Sequence, residues 1–210
     1  MDFQIIWDNR EIVIDGLALT LGLSVLGIAG SFLVGVLFGC LQTSPNYFAK
    51  KLSDLYIEIM RNIPILVKIF FLYFVFGMDA YPAALVSLIL HQSGFIADVV
   101  AAGLRSIARE QLEAAFATGL HKIQTFGYVL LPQAVRIVIP PLSSQFIELT
   151  KNTSVVMLIG MQDLTFASQN INIETYRYLE AFIVVTAFYI LIMFSIVALM
   201  NGLRRLMEQR

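Results

Sequence analysis

Long apolar runs dominate the chain, and only short polar stretches interrupt them. Five runs are long enough to cross a bilayer, at about 17–42, 54–77, 81–104, 129–150 and 178–203. About 20 apolar residues in a helix span a hydrocarbon core of about 30 Å. The period-2 alternation of barrel strands is absent, and lipid tolerates only helices and closed barrels, so all five are predicted as helices. The expected fold is an all-α integral membrane protein, a single domain over 1–210. Within the first run Gly27, Ser31, Gly35 and Gly39 recur every fourth residue. Such a small-residue face lets another helix approach closely, either inside the chain or across a dimer seam.

The composition is 58% hydrophobic and 14% charged, against about 45–50% and about 25% in soluble domains. The single cysteine, Cys40, excludes an intrachain disulfide framework and a CxxC metal cluster. Neither a basic leader nor a small-residue cleavage site follows Met1-Asp2-Phe3, so the first run is expected to be retained. Basic residues orient the helices. With the N-terminus outside, Lys50, Lys51, Arg105, Arg109, Lys122, Arg204, Arg205 and Arg210 fall on the cytoplasmic side, and Arg10 and Arg177 fall outside. Residues 105–128 and the C-terminus are then cytoplasmic, and 160–176 form an external loop.

That cytoplasmic stretch contains an amphipathic segment at about 110–120. Glu and Ala favour helix, Glu113 suits its first half, and Gly119 is a stop because glycine tolerates the left-handed conformation. The small side chains of Ala114 and Ala115 let a partner backbone come near. A polar helix between spans must lie outside the lipid and face something soluble.

Charges inside spans cost about 2.5–3.5 kcal/mol each and usually face an interior. Glu58 and Arg61 are three apart on one helical face and could pair; Lys68 could snorkel or reach a partner helix. Pro140 and Pro141 deprive the carbonyls of Arg136 and Ile137 of donors, the pattern of a broken helix beside a transport path. Just beyond them lie Gln145, Glu148, Lys151, Asn152, Thr153 and Ser154, a polar cluster suited to lining a cavity, while His91 and Gln92 interrupt the third run. No GxxxxGK[ST], GxSxG or HExxH occurs. Nucleotide binding therefore belongs to another chain, and neither a catalytic nor a metal constellation is expected. The basic residues form no nucleic-acid footprint.

Glu113-Ala114-Ala115, three residues, Gly119, nine residues and then Val129-x-Leu131-Pro132 resembles the EAA signature of permease subunits of bacterial ABC importers. Val129 stands where isoleucine is usual. The stretches 56–68, 95–107 and 131–154 are similar to the polar amino acid permeases, the histidine/glutamine/glutamate group. The resemblance implies a type I ABC importer permease core of five helices in the bacterial cytoplasmic (inner) membrane, with a cytoplasmic coupling helix. It implies that Glu113, Ala114, Ala115, Gly119, Leu131 and Pro132 couple to the ATPase, and that His91, Gln145, Asn152, Thr153 and Ser154 line the substrate path. Glu58, Arg61, Glu148 and Lys151 are candidate gating or structural ion pairs.

The implied partners are an ABC ATPase dimer, an extracytoplasmic solute-binding protein, a second permease subunit, an amino acid and membrane lipid. This chain would hold no cofactor; ATP and Mg would sit on the ATPase. Relatives that carry a cationic amino acid have acidic residues where Gln145 and Asn152 stand, so the two amides favour glutamine, glutamate or aspartate. An ion-coupled secondary amino acid carrier, or a family permease for another small solute, are the alternative readings.

Overall fold

A computed structural model describes residues 4–208. Met1, Asp2, Phe3 and Arg210, used above for the leader and the charge balance, lie outside the described residues. A short helix α1 (Gln4–Asp8) precedes α2 (Arg10–Gln42), α3 (Tyr47–Asn62) and α4 (Ile65–Phe70), which runs into a π turn over Phe71–Val75. Then follow α5 (Ala80–Arg105), α6 (Arg109–Ala117), α7 (Lys122–Thr125), a second π turn (Phe126–Leu130) and α8 (Leu131–Asn152). A 3-10 turn (Thr153–Ile159), α9 (Leu164–Thr175) and α10 (Tyr178–Glu208) complete the chain. Among the described residues, four stretches are long and apolar enough to cross a membrane: α2, α5, Lys122–Ile159 and Tyr178–Met207.

Three expectations need correction. The predicted span 54–77 is not one helix. Proline disfavours a helical residue before it; Ile63 is accordingly extended (ψ 124°), α3 ends at Asn62, and α4 starts after Pro64. Pro140 and Pro141 do not break α8, which continues through both. They lie on its exposed side together with Arg136 and Ile137, whose carbonyls lose their donors. The predicted external loop 160–176 is mostly α9, with Leu164, Ala167, Ser168 and Ile171 buried.

Lipid is as apolar as leucine, so helices in a membrane are held together by close packing rather than by hydrophobic transfer. Gly27, Ser31, Gly35 and Gly39 are all buried on α2. A Cβ on Gly27 would meet Leu149 at 3.1 Å, and one on Gly35 would meet Ile96 at 2.5 Å. The small-residue face thus packs within this chain, on α5 and α8. Side chains then fill three core regions. Leu23, Ile69, Leu88 and Val156 join α2, α4, α5 and the 3-10 turn. Val13, Leu164, Ile171 and Val185 join α2, α9 and α10. Ile96, Val138, Leu142 and Met200 join α5, α8 and α10.

Near the N-terminal end of α2 the contacts are polar. Asp163 is fully buried. Its Oδ1 accepts from the Phe166 N–H at 2.9 Å and caps α9, while the Tyr189 hydroxyl donates to its Oδ2 at 3.2 Å. The Leu164 N–H donates to Thr20 Oγ1 at 3.2 Å. Burial pushes the Asp163 carboxyl above the usual carboxylate range; the bonds from Phe166, Thr165 and Tyr189 pull it back. Asp163→Ala removes a cap and leaves buried donors unmatched, so it is expected to lower stability by about 2–3 kcal/mol. Thermal melting in detergent measures this, and an unchanged midpoint would contradict it.

Candidate transport path and coupling surface

The end of α3 supplies a concentration of charge. Gly94 on α5 has no side chain where Met60 and Arg61 lie: a Cβ there would stand 2.9 Å from Met60 Cβ and 3.3 Å from Arg61 Cγ. This close approach carries Arg61 across Phe95, 5.2 Å from the ring centre, to a 2.7 Å ion pair with Asp98. The expected Glu58–Arg61 pair therefore does not form. Glu58 instead lines a polar cleft of about 390 Å³ with Asp54, Arg61 and Asp98. At its edge Gln42 donates to Asp54 at 2.9 Å and accepts from Arg105 at 2.8 Å, tying α2, α3 and α5 together. The Arg61 and Asp98 side chains are 41% and 43% exposed, so a double-mutant cycle on this pair should yield under about 1 kcal/mol. A larger coupling in melting experiments would make it a structural keystone.

One turn into α4, Lys68 is buried. The Pro64 break leaves the last carbonyls of α3 without helical donors. The Lys68 ammonium fills that gap, donating to the carbonyls of Met60 and Ile63, the latter at 2.9 Å. It also contacts His91 Nδ1 at 3.0 Å. Of the two fates open to Lys68, reaching a neighbouring helix is the one realised, and snorkelling is not.

His91 and Gln92 turn towards different helices. The His91 ring stands edge-on to Phe95 at 5.3 Å. The Gln92 amide, 1% exposed, donates to Gln145 Oε1 at 2.7 Å and so joins α5 to α8. Its own carbonyl oxygen is buried without a partner, the kind of orphan that needs a physical explanation. On α8, Gln145, Glu148 and Asn152 follow the i, i+3, i+7 spacing of one face. Glu148 accepts from Lys151 at 3.0 Å, both about half exposed. Asn152 is half-buried, Thr153 is buried with its hydroxyl on the Thr150 carbonyl, and Ser154 bonds the Lys151 carbonyl. The structure thus pairs Lys68 with His91 and, separately, Gln92 with Gln145, while Thr153 and Ser154 turn to their own backbone. Sequence reasoning does not single out Gln92 and Asp163 as site residues. Polar side chains inside apolar stretches are the available signal, but their partners are distant in sequence.

The candidate coupling surface lies between α5 and α8. Glu110, Gln111, Glu113, Ala114 and Phe116 of α6 are exposed, whereas Ala115 is 6% exposed and faces inward. The helix ends in a Schellman arrangement. Gly119 is left-handed (φ 87°), its N–H donates to the Phe116 carbonyl at 3.0 Å, and the Leu120 N–H donates to the Ala115 carbonyl at 3.2 Å. The next helix opens at His121, whose N–H donates to Gln124 at 3.2 Å. Leu131 is exposed and Pro132 half-buried in the first turn of α8.

Residues 31–210 match the family described as binding-protein-dependent transport system inner membrane component. The glutamine transport system permease protein GlnP of Escherichia coli (strain K12) is 34% identical, with 99% of this chain and 98% of that one covered. The probable glutamine ABC transporter permease protein GlnM of Bacillus subtilis (strain 168) is 33% identical over 100% and 99%. A solved structure, a crystal structure of an amino acid ABC transporter with histidines, superposes with a TM-score of 0.88 at 30% identity, covering 98% of both chains.

Proposed function

This chain belongs to the family of binding-protein-dependent transport system inner membrane components, and we propose that it forms the membrane path of an ATP-driven importer of glutamine. It is a permease subunit of an amino acid ABC importer, and ATP is hydrolysed by a partner. Five segments cross the bacterial cytoplasmic membrane: α2, α3 with α4, α5, the stretch Lys122–Ile159, and α10. The N-terminus is outside, and Lys50, Lys51, Arg105, Lys122, Arg204 and Arg205 are inside, following the positive-inside rule.

Two permeases, identical or related, enclose the path between two ATPases and an external binding protein. ATP binding closes the ATPases, α6 moves with them as a rigid rod, and the path switches from inward- to outward-facing. The carrying observation is α6 itself: anchored by Ala115, stopped by Gly119 and exposed over Glu113 and Ala114. The amides Gln92, Gln145 and Asn152 suit the substrate because an amide both donates and accepts without favouring a cation. The two glutamine permeases above support the same choice.

Reconstitution of the chain with its ATPase and binding protein tests the reading. ATP-dependent glutamine uptake is expected. Uptake of glutamate or aspartate instead would change the cargo, and uptake by the chain alone on an ion gradient would overturn the mechanism.

A further inference from the structure

Lys68 does more than close the α3 break. An ammonium has donors only, so His91 Nδ1, 3.0 Å away, must accept from it. A second positive charge on that ring would be repelled at this distance. His91 is therefore neutral and carries its proton on Nε2. The Met60 carbonyl, which accepts from the Lys68 ammonium, also lies beside the ring, and so does the Glu148 carboxylate of α8. Phe95 fixes the plane of the ring. The ring is half-buried.

We propose that Lys68 is a positioning residue for specificity. It holds His91 as the neutral Nε2–H form and places a fixed positive charge behind it. The path then offers a donor to a carbonyl or carboxylate, and the Lys68 charge, offset in part by the Glu148 carboxylate that also faces the ring, disfavours cationic side chains. This rests on the reading that His91 borders the path, and the two parts are tested separately.

The tautomer is read by NMR of the nitrogen-labelled full complex, in which His91 and His121 are the only histidines of this chain. One ring pinned with a bare Nδ1 is expected, released to a mixture in Lys68→Met. A protonated His91 Nδ1 in the unaltered protein overturns the proposal, whether or not the variant folds.

The path is tested by two substitutions. In His91→Gln the amide nitrogen keeps a donor near the Nε2 position. In His91→Asn the amide oxygen keeps only the Lys68 contact. If the donor meets substrate, the Gln variant should retain glutamine uptake, and the Asn variant should need about tenfold more substrate, the loss expected of one hydrogen bond. Better function in Asn than in Gln would reduce His91 to a structural partner of Lys68 and overturn the proposal. A pinned tautomer with both variants transporting normally would remove His91 from the path, and with it the proposal, while leaving the importer reading intact. Finally, equilibrium binding of labelled glutamine and arginine to the complex without binding protein should favour glutamine. Lys68→Met should narrow that preference about tenfold, and an unchanged preference contradicts the charge part.

Discussion

Gly119→Val should abolish stimulation of ATP hydrolysis by loaded binding protein, a fall of more than about tenfold, while the spans stay assembled. The Gly119 backbone is left-handed at φ 87°, and nothing lies within 4 Å of where a Cβ would stand. The strain therefore comes from the backbone alone. Left-handed helical geometry costs an L-residue roughly 1–2 kcal/mol, and a β-branched one is a genuine outlier there. Relief of that strain breaks the Gly119 and Leu120 hydrogen bonds that stop α6. The angle between α6 and α7 then becomes undefined, and a rod with a loose base transmits no displacement. Glu113→Lys is the companion variant, since Glu113 is exposed and its replacement should spare the fold. ATPase assays with and without loaded binding protein, beside melting curves, read both. Full coupling in the two variants would remove α6 from the drive train.

Gly39→Leu should prevent the chain from accumulating in folded form. A Cβ there would lie 2.8 Å from the Ala97 carbonyl oxygen and 2.7 Å from Val100 Cβ. Neither atom is the far end of a flexible side chain, so α2 and α5 must separate to admit it. Overpacking of a dense core typically costs about 1–3 kcal/mol for extra methylenes, and displacing helix backbones along a seam costs more. Gly22→Leu is the control, because nothing stands within 4 Å of its Cβ position. Size-exclusion profiles of fluorescently tagged protein should show a monodisperse peak for Gly22→Leu and loss of it for Gly39→Leu. Equal yields would mean that the seam can open without penalty.

The contrast between these glycines marks where sequence and structure part. Gly119 can be assigned its role from the run around it, because a helix stop is decided within a few residues. The repeat of Gly27, Ser31, Gly35 and Gly39 signals a close helix contact, but not whether it lies inside the chain; α5 and α8 settle that by occupying the face. Glu58 and Arg61 have the spacing of a pair, yet Gly94 lets α3 lie so near α5 that Asp98 takes the arginine.

From its residues alone the chain declares a helical membrane protein, an uneven distribution of its basic residues, and a polar rod with a defined end. Each depends on run length, on charge or on the conformations open to neighbouring residues, and none needs a distant partner. Only the packed molecule decides that Lys68 closes the α3 break and grips His91, that Gln92 meets Gln145 across 53 positions, and that Asp163 is buried. Those pairings depend on how each helix is rotated about its axis and how closely its neighbour lies, and that geometry exists only once all the helices are in contact.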